Sequence, residues 1–233
     1  MDNSITVYWG LFVEPNKFAE RALLTEPPKQ VMSDLKEIYN PESGVFRCPS
    51  VKEKHLNTFV YKLPFDVTVS TMEGTGFYSQ HNNVTPRPAM YKEGFSFDIN
   101  YQLIFYSFED IMLQTSPPYF HQTSYSSLGH IPSGQFNIGK WFRPSAPNVS
   151  VFPKIDVFKA IKGDALIYYN FATNKRVILK QFFVTDLLFN IALDFVDHKQ
   201  FIPNQPLQDL YNRVTRGKIN KVIQKDILSN LLD

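Results

Sequence analysis

The run Gly139-Lys140-Trp141-Phe142-Arg143-Pro144 leads into Val149 to Ala160, the turn Lys162-Gly163-Asp164, Ala165 to Phe171, and Arg176 to Val184. Its reading decides the fold class. Three strand-like runs follow one another, and two turn signals part them. Ala165, Ile167, Tyr169 and Phe171 fall on one face of the middle run. Gly163 suits a turn that needs a positive φ. Thr173-Asn174-Lys175 predicts a hairpin into Val177 to Val184.

Working outward, Phe95 to Phe105 alternates most clearly. Phe95, Phe97, Ile99, Tyr101, Leu103 and Phe105 take one face, and Ser96, Asp98, Asn100 and Gln102 the other. That pattern predicts a single strand with one face on the core and Asp98 toward water. Ile5 to Phe12, Asn57 to Leu63, Phe65 to Met72, Ile111 to Thr115 and Gln135 to Phe142 read as further strands, with Pro64 at a bend or an edge. Val31, Leu35 and Ile38 mark a short helix over Gln30 to Tyr39. Residues 73–94 and 119–134 are rich in Gly, Pro, Asn and exposed-type aromatics, and both are expected as loops. After Thr185 the period changes. Leu187, Leu188, Ile191 and Phe195 form a helical stripe, and Ile219, Val222, Ile223 and Ile227 form another.

The expected fold is therefore mainly β, a sandwich or jelly roll over residues 1–184, with C-terminal α-helices over 185–233. Those helices either pack on the sandwich or serve as a partner-binding arm. Aromatics at 15% of 233 residues support the β assignment, because flat rings suit pleated faces. A net charge of +2 is too small to demand nucleic acid or an anionic membrane. No apolar run is long enough to span a bilayer. Cys48 is the single cysteine, and Met1 to Trp9 lacks a basic-then-apolar leader, so folding in a reducing cytosol is expected.

The chemistry-bearing residues give no catalytic signature. His55, His81, His121, His130 and His198 have Asn57, Asn83, Thr123, Pro132 and Gln200 two positions on, so no His-x-carboxylate ligand pair exists. His121 and His130 flank one loop and would converge on a metal only with a third ligand such as Asp98; no metal site is assigned. Cys48 precedes Pro49 and a short predicted helix, with His55 beyond; burial is the favoured reading over nucleophilic chemistry. There is no phosphate cradle or dinucleotide fingerprint, and no cofactor is expected. Asp98, Glu109, Asp110 and Asp156, with Trp9 and Trp141, are the sugar-cleaving or sugar-stacking candidates, against a plainer reading in which Trp141 packs in the core. A small-ligand pocket between the 73–94 and 119–134 loops would use Tyr119, His121, His130, Trp141 and Tyr169. Arg213, Arg216, Lys218, Lys221 and Lys225 interleave with an apolar stripe; they are the candidate contacts for a partner or nucleic acid, with a solvated helix face as the plainer alternative.

Several short motifs carry a resemblance. They are Phe46-Arg47-Cys48-Pro49, Asn57-Thr58-Phe59-Val60, Pro64-Phe65-Asp66, Ile138 to Pro144, Lys162-Gly163-Asp164-Ala165-Leu166 and Leu179-Lys180-Gln181-Phe182. In these the chain resembles a family of proteins of unknown function encoded by tailed marine bacteriophages. It is distantly similar to a bacterial domain that places a Cys-Pro, a proline-aromatic loop (here Ser116-Pro117-Pro118-Tyr119), a tryptophan and a Gly-acid turn in the same order. The likeness spans Phe46 to Phe183. It implies a phage or bacterial origin and no activity. The lack of a catalytic constellation, with aromatic-rich loops and an amphipathic C-terminus, makes the expectation a non-enzymatic binding or structural protein of a phage, a virion component or a host-takeover factor. It would fold in the host cytoplasm, self-associate or join a virion, and bind nucleic acid only as a lesser alternative. A jelly-roll small-ligand binder or metal-dependent enzyme is the second expectation.

Overall fold

In the computed structural model the described residues are 3–40, 42–72, 76–79, 83–201, 206, 208–209, 211–212 and 218–232. The fold is mainly β and sandwich-like, with helices at the C-terminal end. The first sheet runs β12 (Pro144–Ser145), β8 (Gln102–Tyr106), β1 (Ser4–Phe12), β16 (Arg176–Gln181). The second runs β10 (Gly129–His130), β13 (Asn148–Val151), β7 (Ser96–Ile99), β6 (Val84–Arg87). The third runs β11 (Gly134–Asn137), β9 (Met112–Ser116), β15 (Ala165–Ala172), β3 (Thr58–Lys62), β2 (Lys29–Gln30). The fourth runs β14 (Val157–Ala160), β4 (Val67–Met72), β5 (Gly76–Ser79).

Two bent ribbons reduce these four sheets to two layers. The chain of β7 and β8 lies antiparallel to that of β12 and β13, with Phe97 opposite Val149 and Leu103 opposite Ser145. The bend falls at Asn100-Tyr101, and Ile99 N donates to Pro147 O at 3.0 Å across it. In the same way β3 and β4 lie against β14 and β15, bending at Pro64. There Leu63 N donates to Asp164 O, and Gly163 N to Leu63 O, both at 2.8 Å. Gly163 has φ +89°, a region open to glycine and strained for other residues. Proline suits both corners because it withholds a ladder donor where the ladder breaks. The layers meet through rings. Phe105 stands 4.7 Å from Tyr169 and 5.5 Å from Phe171, and Phe97 stands 5.2 Å from Phe158.

Three expectations change. Phe95 to Phe105 is two strands in two sheets, and Asp98 faces protein rather than water. Flanked by β6 and β13, Asp98 is buried and accepts from Arg87 Nε at 2.5 Å and Asn148 Nδ2 at 2.9 Å. Second, β15 and β16 form no hairpin. β16 crosses to the first sheet and pairs parallel with β1, Val177 opposite Ile5. Asn57 holds that crossing, donating from Nδ2 to Thr173 O at 2.9 Å and Lys175 O at 2.8 Å and accepting from Val177 N at 2.9 Å. Third, the 73–94 stretch contains β5 and β6, which pair with β4 and β7.

The outer face of the third sheet carries a smaller core. Val31, Met32 and Leu35 of α2 (Val31–Ile38) and Phe46 of α3 (Gly44–Arg47) cover Val60, Ala165 and Tyr168. Two further short helices, α1 (Phe18–Leu24) and α4 (Pro49–Lys54), flank this region in sequence. At the other end, α5 (Asp186–Phe201) starts where Thr185 Oγ1 accepts from Leu188 N at 3.2 Å, a side-chain cap. Leu188, Ala192 and Phe195 of α5, and Ile223 and Ile227 of α6 (Ile219–Ser229), belong to the main core. No helix of the described residues is long and apolar enough to cross a membrane.

Candidate functional site: a polar cleft on the third sheet

Strand alternation builds the site. On β15, Tyr169 and Phe171 point into the sandwich, so Tyr168 and Asn170 point outward. Tyr168 is covered by the smaller core, whereas Asn170 is half-buried. The register sets Asn170 opposite Thr58 on β3 and Gln114 on β9. Three polar side chains thus cross three strands in one row, and Asn170 Nδ2 donates to Thr58 Oγ1 at 2.7 Å. They floor a cleft of about 530 Å³ whose walls include Lys54, His55, Ser116, Tyr119 and Gln135. Tyr119 is 54% exposed, enough to offer a ring and a hydroxyl to a ligand.

Beneath the cleft a chain of contacts fixes that wall. The Tyr119 ring lies 5.2 Å from Tyr168 and 5.7 Å from His55, with its hydroxyl 3.4 Å from His55 Nε2. His55 is buried, and burial together with the neighbouring Lys54 charge pushes its pKa down. His121 bridges Tyr168 and α2, with Nδ1 2.5 Å from the Tyr168 hydroxyl and Nε2 2.9 Å from Asp34 Oδ2. Asp34 is fully buried and also meets Lys62 Nζ at 2.7 Å and Lys29 Nζ at 3.6 Å. Burial raises the Asp34 pKa, but hydrogen bonds from Lys62 and His121 outweigh it, and the net shift is downward. Burial lowers the His121 pKa against the opposing pull of Asp34. An ionised Asp34 beside a neutral imidazole fixes the tautomer. Nε2–H donates to Asp34, and Nδ1 accepts from Tyr168 O–H.

The expected ligand pocket does not assemble. Tyr119 and His121 share the cluster just described. His130 stands in the second sheet, 3.5 Å from the Tyr91 hydroxyl and 5.6 Å from the Phe152 ring. Trp141 is buried against Phe136 and Tyr211, with the Arg143 guanidinium 4.5 Å from its ring. Tyr169 is buried against Phe105. Tyr169 follows from an inward strand position that alternation fills with a ring, and Trp141 lies in the link between β11 and β12. Asp98 is engaged by Arg87 and Asn148, so His121, His130 and Asp98 form no shared ligand set. Among the described residues no group of three or more His, Cys, Asp or Glu stands together as a metal site.

Cys48 stands at the N-cap position of α4 without a side-chain cap bond, and is half-buried rather than buried. Its Sγ is 3.1 Å from Ser50 Oγ, and hydrogen bonds from Ser50 and from the Val51 backbone lower its pKa. Lys218, Lys221 and Lys225 are exposed around α6, while Arg213 and Arg216 lie outside the described residues.

The polar row Thr58–Asn170–Gln114 was missed at the level of sequence. Each member sits at an outward position of its strand, and only the register brings them together. Lys54 and Asp34 had no sequence signal.

Fold and cleft together define a mainly β, sandwich-like protein with a polar surface site on one sheet. No family model matches the chain, and neither a curated protein nor a solved structure matches it.

Proposed function

We propose that the chain is a non-enzymatic binding protein whose cleft holds a saccharide. The observation that carries this is the pair of amides Asn170 and Gln114, set side by side by the register and backed by the buried Thr58, next to the exposed Tyr119. Amides and hydroxyls exchange donors and acceptors with sugar hydroxyls, and a tyrosine ring takes the apolar face of a pyranose while its hydroxyl stays wet. The cleft volume lies in the range of small-molecule sites. The contacts from Asp34 through His121 and Tyr168 hold Tyr119 in place from behind, which reduces the ordering cost of binding.

The resemblance of Phe46 to Phe183 to phage proteins supports a phage setting. In that setting the ligand is a surface polysaccharide of the bacterial host, and the protein is a virion component that self-associates or assembles with other virion proteins. The test is a glycan array of bacterial surface polysaccharides, followed by titration calorimetry on any hit. Binding that Tyr119→Ala and Asn170→Ala each weaken by roughly tenfold or more supports the reading. An array with no hit, or hits indifferent to both substitutions, overturns it. Mass spectrometry of purified virions tests the setting separately.

A further inference from the structure

A second cleft, of about 890 Å³, adjoins the first and is lined by Glu53, Lys54, Leu56, Asn170, Ala172 and Asn174, among others. Lys54 and Asn170 line both. The two hollows therefore meet at Lys54 and Asn170, and end to end they run from Gln135 to Asn174. Each part alone suits a small molecule, but the joined trough exceeds the usual range of small-molecule sites.

From this continuity we infer that the ligand is an extended linear oligosaccharide, with its middle units crossing Asn170 and Lys54. This rests on the saccharide reading above. The far part repeats the near part's chemistry. Asn174 supplies an exposed amide, and Leu56, 47% exposed, supplies an apolar surface for the C–H face of a sugar ring. Asn170 sits at the junction with Nδ2 committed to Thr58 Oγ1, which turns its carbonyl oxygen into the acceptor available to a sugar hydroxyl. Lys54, exposed at the same junction, adds a donor from the opposite wall. Binding energy should thus accumulate along the chain rather than reside in one unit.

The experiment uses the full chain and size-fractionated fragments of whichever bacterial polysaccharide binds on the array. Affinity is expected to climb by roughly tenfold or more from the disaccharide to the fragment that fills both parts. Ala172→Trp places an indole in the far part from an exposed strand end, and Glu53→Trp is a second obstruction, from α4. Each should abolish the gain with length and leave disaccharide affinity unchanged, with melting temperature as the folding control. Affinity that is flat with length overturns the extended-chain inference while leaving the saccharide reading standing. So does a gain that survives both obstructions in folded protein. If no saccharide of any length binds, or if an extended peptide or oligonucleotide binds in preference to every saccharide, the reading itself fails and the inference falls with it.

Discussion

The imidazole of His121 meets the carboxylate of Asp34 at 2.9 Å, Nε2 to Oδ2, joining the loop after β9 to helix α2. Asp34 is fully buried, and its other oxygen is held by Lys62. Removing one partner of such a group leaves the others uncompensated. Asp34→Ala is expected to cost about 3 kcal/mol of folding stability, the lower end of the range for a buried pair because Lys62 is still 25% exposed and can turn to water. Urea denaturation measures it. A loss under about 1 kcal/mol would mean that the contacts with Lys62 and His121 are ornamental.

The same cluster sets a pH dependence. Asp34 has its pKa lowered in the fold, so its contribution is complete above the unfolded carboxylate value of about 3.9 and is lost as pH falls through the folded value. His121 and His55 are also lowered, burial being the first cause in each. Their contribution is complete above the unfolded histidine value of about 6.5 and declines as pH falls toward the folded values. All three act in one direction. Stability should fall as pH drops below about 6.5 through the histidines, then again below about pH 4 through Asp34. Denaturation midpoints across that range report it, and His121→Asn together with His55→Gln should flatten the first step. An unchanged slope in the double variant would assign the dependence to other groups.

Asn57 is the second long-range fastener. Its amide spends both donors on Thr173 O and Lys175 O and its oxygen on Val177 N, where the chain leaves the third sheet for the first. Asn57→Ala orphans three backbone groups, of which the Val177 N–H is buried, for an expected loss of roughly 1–3 kcal/mol. Asn57→Asp keeps the acceptor and loses the donors, and should fall between the two. Equal stability of Asn57→Ala and the parent would show that the crossing is held by β16–β1 pairing alone.

Local pattern made the strands legible, and long-range register made the rest illegible. Alternation in Ala165 to Phe171 and the cap at Thr185 can be read from neighbours a few positions apart. Whether the strand after Thr173 folds back or crosses over depends on Asn57, more than a hundred positions earlier, which no local window contains. Asp98 shows the same limit. Its alternation fits a water-facing position, but the partners that make burial tolerable, Arg87 and Asn148, come from two different neighbouring strands. The cleft was hidden for that reason as well. Thr58, Gln114 and Asn170 are ordinary polar residues until the ladder aligns them.

The C-terminal helix α6 separates two roles that the sequence left joined. Ile223 and Ile227 are fully buried in the main core, while Lys218, Lys221 and Lys225 are exposed. After the helix, Leu232 N donates to Gln181 O and Phe183 N donates to Asn230 O, both at 2.9 Å, so the last residues lie along the end of β16. Packing and charge can be tested apart. Ile227→Ala should cost about 2–5 kcal/mol, as for other large-to-small changes in a close-packed core. Lys221→Glu with Lys225→Glu should leave stability within about 0.5 kcal/mol, as for exposed positions generally. Mobility shift with DNA at low salt then reads the charged face alone. A shift that the double charge reversal abolishes would make the lysines a nucleic-acid contact. Its absence in the parent protein would leave them as the solvated side of a helix held by its isoleucines.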